Sequence, residues 1–135
     1  MKKIVLIFLL VFLIFIDQLV KWWVINFHPI LIFENHGIIF GFIQNPIIIY
    51  LLLGIGFLVL IWLVIGQNKF SFNFWKALPI ILISAGALSN ILDRFYRGFV
   101  VDYFSFFGLN YFNISDIMII SGVLLYALQI FKYKK

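Results

Sequence analysis

Asp93, Asp102 and Asp116 fall close together in a chain of 135 residues that has five acids in all, the others being Asp17 and Glu34. Their surroundings are 65% hydrophobic, and ionisable groups near hydrocarbon are too expensive to keep without a task. Asp102 and Asp116 are 14 positions apart, one in a loop and one at the start of an apolar run, and a returning loop can bring such positions face to face. Two carboxylates in a partly desolvated site share one proton, because both cannot ionise at close range. One then acts as base on a water and the other as acid on a carbonyl oxygen, which is the chemistry of aspartic proteolysis. A second role fits Asp116 equally well. Asn113-Ile114-Ser115-Asp116 reads as a helix N-cap with an acid at the third helical position, where it also suits the helix dipole. On the residues alone, capping and catalysis are level.

The other polar candidates read differently. Asn90, Asp93 and Arg94 stand in the run NILDR. An arginine near a helix C-terminus suits the dipole and an acid does not, so Asp93 needs a cation, with Arg94, Arg97 and Lys21 as choices. A structural ion pair is the favoured reading for Asp93. Asp17 and Lys21 are spaced i,i+4 and pair on one helix face. His28 and His36 lack a ligand spacing, so no metal site and no cofactor is expected. The chain has no cysteine, which excludes disulfides, thiolate nucleophiles and Cys-ligated metals. Ser84, Ser89, Ser115 and Ser121 read as helix-packing or capping residues.

These groups need elements to hold them, and the composition says which. There are too few polar residues to cover a soluble surface, so a single membrane domain over residues 1–135 is expected. Spans are expected at about 4–25, 46–65, 74–92 and 114–131. The first follows Lys2 and Lys3 like a signal peptide, but no small-residue cleavage site follows, and it reads as an uncleaved helix closed by Trp22 and Trp23 at the interface. Gly86, between Ala85 and Ala87, offers a small-residue face for close packing. The loops 27–45 and 93–111 carry apolar β-formers. The first reads as a hairpin turning at Asn35, His36 and Gly37, and together the two form a small sheet or platform. Of the ten basic residues, Lys2, Lys3, Lys69, Lys76, Lys132, Lys134 and Lys135 fall on the side of the termini, and Lys21, Arg94 and Arg97 on the other. That asymmetry places both termini in the cytoplasm and the acids at the outer face. The basic residues flank membrane segments rather than forming a face, so nucleic-acid binding is not expected.

In this order and spacing the motifs resemble those of signal peptidase II, the bacterial lipoprotein signal peptidase family. Asp17-Gln18 with Lys21 resembles its first-helix motif. Asn35-His36-Gly37 with Phe40-Gly41 resembles its NxG..FG loop, AGALSNILDRFYRGFVVDYF (85–104) its GGALGNLIDR…G.VVDF segment, and FNISD (112–116) its FNxAD. The resemblance implies four transmembrane helices with a small extracytoplasmic β platform in the bacterial cytoplasmic membrane. It implies an aspartic endopeptidase that cuts prolipoproteins just before a diacylglyceryl-modified cysteine, without a cofactor. Asp102 and Asp116 are then the catalytic pair. Asn35, Asn90, Arg94 and Asn113 line the site, and Asp17, Lys21 and Asp93 support it. The expected partners are the lipid-modified prolipoprotein and membrane lipids, with the enzyme a monomer. Ser89, Ala85 and Ser115 depart from the motif at a usual Gly, Gly and Ala, and bear on substrate preference. Two other classes remain open: a small transporter or oligomeric channel, against which stand acids at one end only, and a noncatalytic assembly factor.

Overall fold

A computed structural model describes residues 2–37, 45, 47–49, 51, 54, 56, 74–107 and 110–133. Three long helices dominate them: α1 (Lys2–Phe27), α2 (Phe74–Arg97) and α3 (Ile114–Tyr133). The spans within them, Ile4–Phe27, Phe74–Arg97 and Ile114–Lys132, at about 1.5 Å per residue reach the ~30 Å of a bilayer core. Ile4, Phe8, Val11, Phe15 and Leu19 of α1 and Ile120, Leu124, Leu128 and Phe131 of α3 are exposed, so these faces meet hydrocarbon. α2 is the central helix. It packs on both α3 and α1 and buries Ile80, Ile81, Ala85, Gly86, Ser89, Asn90 and Asp93.

Small residues set the α2–α3 spacing. A Cβ on Gly86 would lie 2.3 Å from the Ser115 carbonyl oxygen, and one on Gly122 would lie 2.7 Å from the Pro79 carbonyl oxygen. The two backbones therefore approach at a distance no larger side chain permits. The helices also exceed the expected spans. α2 runs through NILDR to Arg97 instead of ending near 92, so Asn90, Asp93, Arg94 and Arg97 are helical residues with defined faces. Gly98 ends it at φ +82°, its N–H bonded to the Arg94 carbonyl at 3.1 Å, the left-handed stop that glycine allows.

Residues 47–49, 51, 54 and 56 are helical. The Asn45 side chain caps them by accepting from the N–H groups of Ile47 (3.0 Å) and Ile48 (3.4 Å). The rest of the span expected at 46–65 lies outside the described residues.

Above the polar ends of the helices are four short strands: β1 (Phe33–Asn35), β2 (Val100–Asp102), β3 (Phe104–Phe106) and β4 (Asn110–Phe112). β1 pairs antiparallel with β2, Phe33 opposite Asp102 and Asn35 opposite Val100. β3 pairs antiparallel with β4, Phe104 opposite Phe112. Among the described residues β1 thus joins the segment after α1 to the segment after α2. The second arm of the hairpin expected beyond Gly37 lies outside them.

Candidate active site

Three asparagines present donors to the two carboxylates, and each amide is oriented by what its oxygen accepts. Asn113 caps α3. Its Oδ1 accepts from the Asp116 N–H at 2.9 Å, which leaves Nδ2 to donate to Asp102 Oδ1 at 2.7 Å. Asn90 Oδ1 accepts from Lys21 Nζ at 3.1 Å and Asn113 Nδ2 at 3.2 Å, and its Nδ2 donates to Asp116 Oδ1 at 3.0 Å. Asn35 Oδ1 accepts from the Gly37 N–H at 3.0 Å, and its Nδ2 donates to Asp102 Oδ2 at 2.9 Å. The Asn113 N–H completes the set on Asp116 Oδ2 at 3.2 Å. Every oxygen of both carboxylates therefore accepts one oriented hydrogen bond, leaving further lone pairs for other partners.

The reciprocal bonds between Asn113 and Asp116 form a capping box, so capping and a place in the site coexist in one residue. The remaining N–H groups of the first turn of α3 are also satisfied. Ser115 donates to Asp17 Oδ1 at 3.0 Å and Ile114 to the Tyr103 hydroxyl at 3.4 Å.

Asp102 is fully buried at the end of β2. Burial pushes its carboxyl up to about 7. The Asn35 hydrogen bond pulls against that, the Asp116 charge adds to it, and Asn113 and Lys21 pull it down. Burial likewise raises the Tyr103 phenol above its ordinary value, which keeps it neutral beside the carboxylates.

Behind the asparagines lies a buried ion network. Lys21 Nζ contacts Asp17 Oδ2 at 2.8 Å and Asp93 Oδ2 at 2.7 Å, and all three side chains are fully buried. Arg97 pairs with Asp93 Oδ1 and reaches Gln18 Oε1 at 3.1 Å. Two carboxylates meet two cations, so the network is neutral and its charges offset one another's desolvation. Of the cations weighed for Asp93, Lys21 and Arg97 hold it. Arg94 turns the other way, donating to the Gly37 carbonyl at 2.7 Å and the Asn90 carbonyl at 3.2 Å. It thereby ties the strand end bearing Asn35 to α2.

All of the residues singled out in the sequence thus converge at one end of the bundle: Asn35, Asn90, Asn113, Asp102 and Asp116 at the centre, Arg94 beside them, and Asp17, Lys21 and Asp93 behind. The two histidines stay apart from it, His28 against Trp23 and His36 against Phe99. Sequence reasoning did not single out Tyr103, and gave Gln18 only as part of a motif and Ser89 and Ser115 only as packing or capping residues. Gln18 Nε2 donates to Asp93 Oδ1 at 2.9 Å, while Ser89 and Ser115 reach Asp17. The two serines face the ion network.

The model of the family described as signal peptidase (SPase) II matches residues 9–132. The chain belongs to the signal peptidase II family. The lipoprotein signal peptidase of Clostridioides difficile (strain 630) is 33% identical over 140 residues, covering 92% of this chain and 93% of that protein. The lipoprotein signal peptidase of Streptococcus pneumoniae (strain ATCC BAA-255 / R6) is 28% identical, covering 97% and 95%. Two solved structures of bacterial membrane enzymes share the fold, one with TM-score 0.79 at 27% identity over 97% of this chain and 90% of that one. The other has TM-score 0.73 at 28% identity over 93% and 92%. As a signal peptidase II family member with three membrane-length helices among its described residues, the chain is a membrane-embedded peptidase.

Proposed function

We propose that this chain removes signal peptides from diacylglyceryl-modified prolipoproteins as an intramembrane aspartic endopeptidase, with Asp102 and Asp116 as its catalytic pair. The observation that carries the reading is the placement of both carboxylates on one residue: Asn113 Nδ2 lies on Asp102 and its backbone N–H on Asp116. The family and the names of the relatives support the substrate class.

Near neutral pH the pair shares one proton, because both carboxylates cannot ionise at close range, and the reaction starts from the state with that proton on Asp102, whose carboxyl burial pushes up to about 7. Asp116 takes a proton from water as the water oxygen bonds to the scissile carbonyl carbon. Asp102 gives its proton to the carbonyl oxygen. The tetrahedral diol then collapses, the C–N bond breaks, and the departing nitrogen takes the proton held by Asp116 while Asp102 recovers one from the diol. The products are a carboxylic acid on the signal peptide, which then loses its proton to water, and an amine on the lipidated cysteine. The four oriented donors hold both carboxylates in place before substrate arrives, so little reorganisation remains for the transition state.

The substrate's acyl chains stay in the outer leaflet, along the exposed apolar faces of α1 and α3, and its peptide approaches laterally toward the polar helix ends. Both termini lie in the cytoplasm, the site opens on the extracytoplasmic side, and the enzyme acts as a monomer. Purified protein in detergent, given a lipidated prolipoprotein peptide, should release a fragment beginning with S-diacylglyceryl-cysteine, identified by mass. A wild-type preparation that cuts elsewhere or not at all would overturn the assignment.

A further inference from the structure

The two positions where serine departs from the family motif converge on one oxygen. Ser89 of α2 and Ser115 of α3 each donate to Asp17 Oδ2 at 2.6 Å, and all three residues are fully buried. The direction of each hydroxyl proton follows from its other partner. Ser89 Oγ accepts from Gln18 Nε2 at 2.9 Å, and Ser115 Oγ accepts from Lys21 Nζ at 3.4 Å. A hydroxyl has one proton, and in both serines it points at Asp17. With Lys21 on the same oxygen and the Ser115 N–H on the other, Asp17 Oδ2 meets three donors, more than its two lone pairs, while Oδ1 takes one.

That saturation limits what Asp17 can take from Lys21. The ammonium has three protons, and its three shorter contacts are Asp93 Oδ2 at 2.7 Å, Asp17 Oδ2 at 2.8 Å and Asn90 Oδ1 at 3.1 Å. The amide is the weakest of the three acceptors, since bonds between two charged groups are stronger than those to a neutral one. Lys21 stays on Asn90 while the carboxylate oxygens it touches, Asp17 Oδ2 and Asp93 Oδ2, are filled by other donors and cannot draw it further. Asn90 in turn places Nδ2 on Asp116 because its Oδ1 is held by Lys21.

We propose that Ser89 and Ser115 are positioning residues for the reaction, saturating Asp17 Oδ2 so that Lys21 remains on Asn90 and the Asn90 amide remains on Asp116. The inference rests on the proposed function for its kinetic readout and carries a second readout that does not. In the Ser89→Ala/Ser115→Ala double variant, Asp17 Oδ2 regains free lone pairs, the ammonium shifts toward them, and the Asn90 amide loses its fixed orientation. On a lipidated peptide kcat should fall about tenfold with KM nearly unchanged, well short of the ~10²-fold that misplacing reacting groups by 1 Å can produce. Each single variant should give a smaller fall in the same direction, and the singles serve if the double variant does not fold. A lower melting temperature with unchanged kcat per folded enzyme would make the serines merely structural and overturn the proposal.

The second readout is the Asn90 side-chain amide in protein selectively labelled with ¹⁵N-asparagine, assigned by its disappearance in Asn90→Asp. Hydrogen exchange at this amide should quicken about tenfold or more in the serine variants, as a protecting hydrogen bond opens. Unchanged exchange would overturn the proposal even if activity fell. If wild-type protein cleaves no lipidated peptide, the proposed function fails and the exchange measurement alone decides the role of the serines.

Discussion

Each candidate carboxylate accepts two hydrogen bonds, and these tune its proton affinity as well as its position. Asp102, with its carboxyl near 7, holds the shared proton below that pH and loses it above. If catalysis needs exactly one proton on the pair, kcat should fall as pH rises through about 7. Removing a donor that lowers the value moves that limb up, so Asn35→Ala, which deletes the bond to Asp102 Oδ2, should shift the alkaline limb to higher pH. A profile that stays put or moves down would show that Asn35 does not govern the Asp102 proton. The identity of these carboxylates was legible in the sequence because acids are so scarce. The competition between cap and catalyst at Asp116 could not be resolved there, since both need an acid at the same position; in the fold the cap bond falls on Oδ2, while Oδ1 accepts from Asn90. What the sequence hid was amide orientation: whether an asparagine donates or accepts depends on partners such as Lys21 Nζ, 69 positions from Asn90.

Among the elements, α2 decides the site, because it packs most extensively on the other long helices and brings Asn90, Asp93, Arg94 and Arg97 with it. Its contact with α3 depends on Gly86, whose Cα lies against the backbone one residue before Asp116. Gly86→Val should push α3 away, destabilising the protein by about 1–3 kcal/mol as overpacking does. It should also lower kcat in the fraction that folds. Full activity and an unchanged melting temperature would mean the two helices are not locked at this point. The contact of α2 with α1 depends on the ion network. Asp17→Ala leaves Lys21 beside one carboxylate instead of two and strips two serines of their acceptor. Breaking a buried pair costs about 3–5 kcal/mol in soluble proteins, and thermal unfolding should register a loss of that order. Helix existence and the small-residue face were legible from hydropathy and from Gly86. The extension of α2 to Arg97 was not, because NILDRFYR carries enough polar residues to end an apolar run without ending a helix. The i,i+4 spacing of Asp93 and Arg97 was the available signal. Strand pairing was legible only as β-forming composition, since the partner of β1 lies far along the chain in β2.

At the scale of the whole molecule, the acids among the described residues gather at one end of an apolar bundle. Lysine asymmetry is the ground for proposing that this end faces the extracytoplasmic side. With no native cysteine, single substitutions test it cleanly: His36→Cys and Gly108→Cys should react with an impermeant thiol reagent added outside intact cells, and Lys69→Cys should not. The reverse pattern would invert the topology and put the site on the wrong face for a lipidated substrate. The proposed function turns most directly on proton transfer by the pair, and the decisive measurement is turnover of a lipidated prolipoprotein peptide by Asp102→Asn, Asp116→Asn and the double variant. Asparagine preserves size and much of the hydrogen bonding but cannot carry the proton. Each single variant should fold and insert normally yet lose cleavage, and the double variant should be little worse than either, because groups acting as a unit are not additive. Near-wild-type turnover by folded Asp116→Asn would contradict the catalytic pair and leave Asp116 as a helix cap alone.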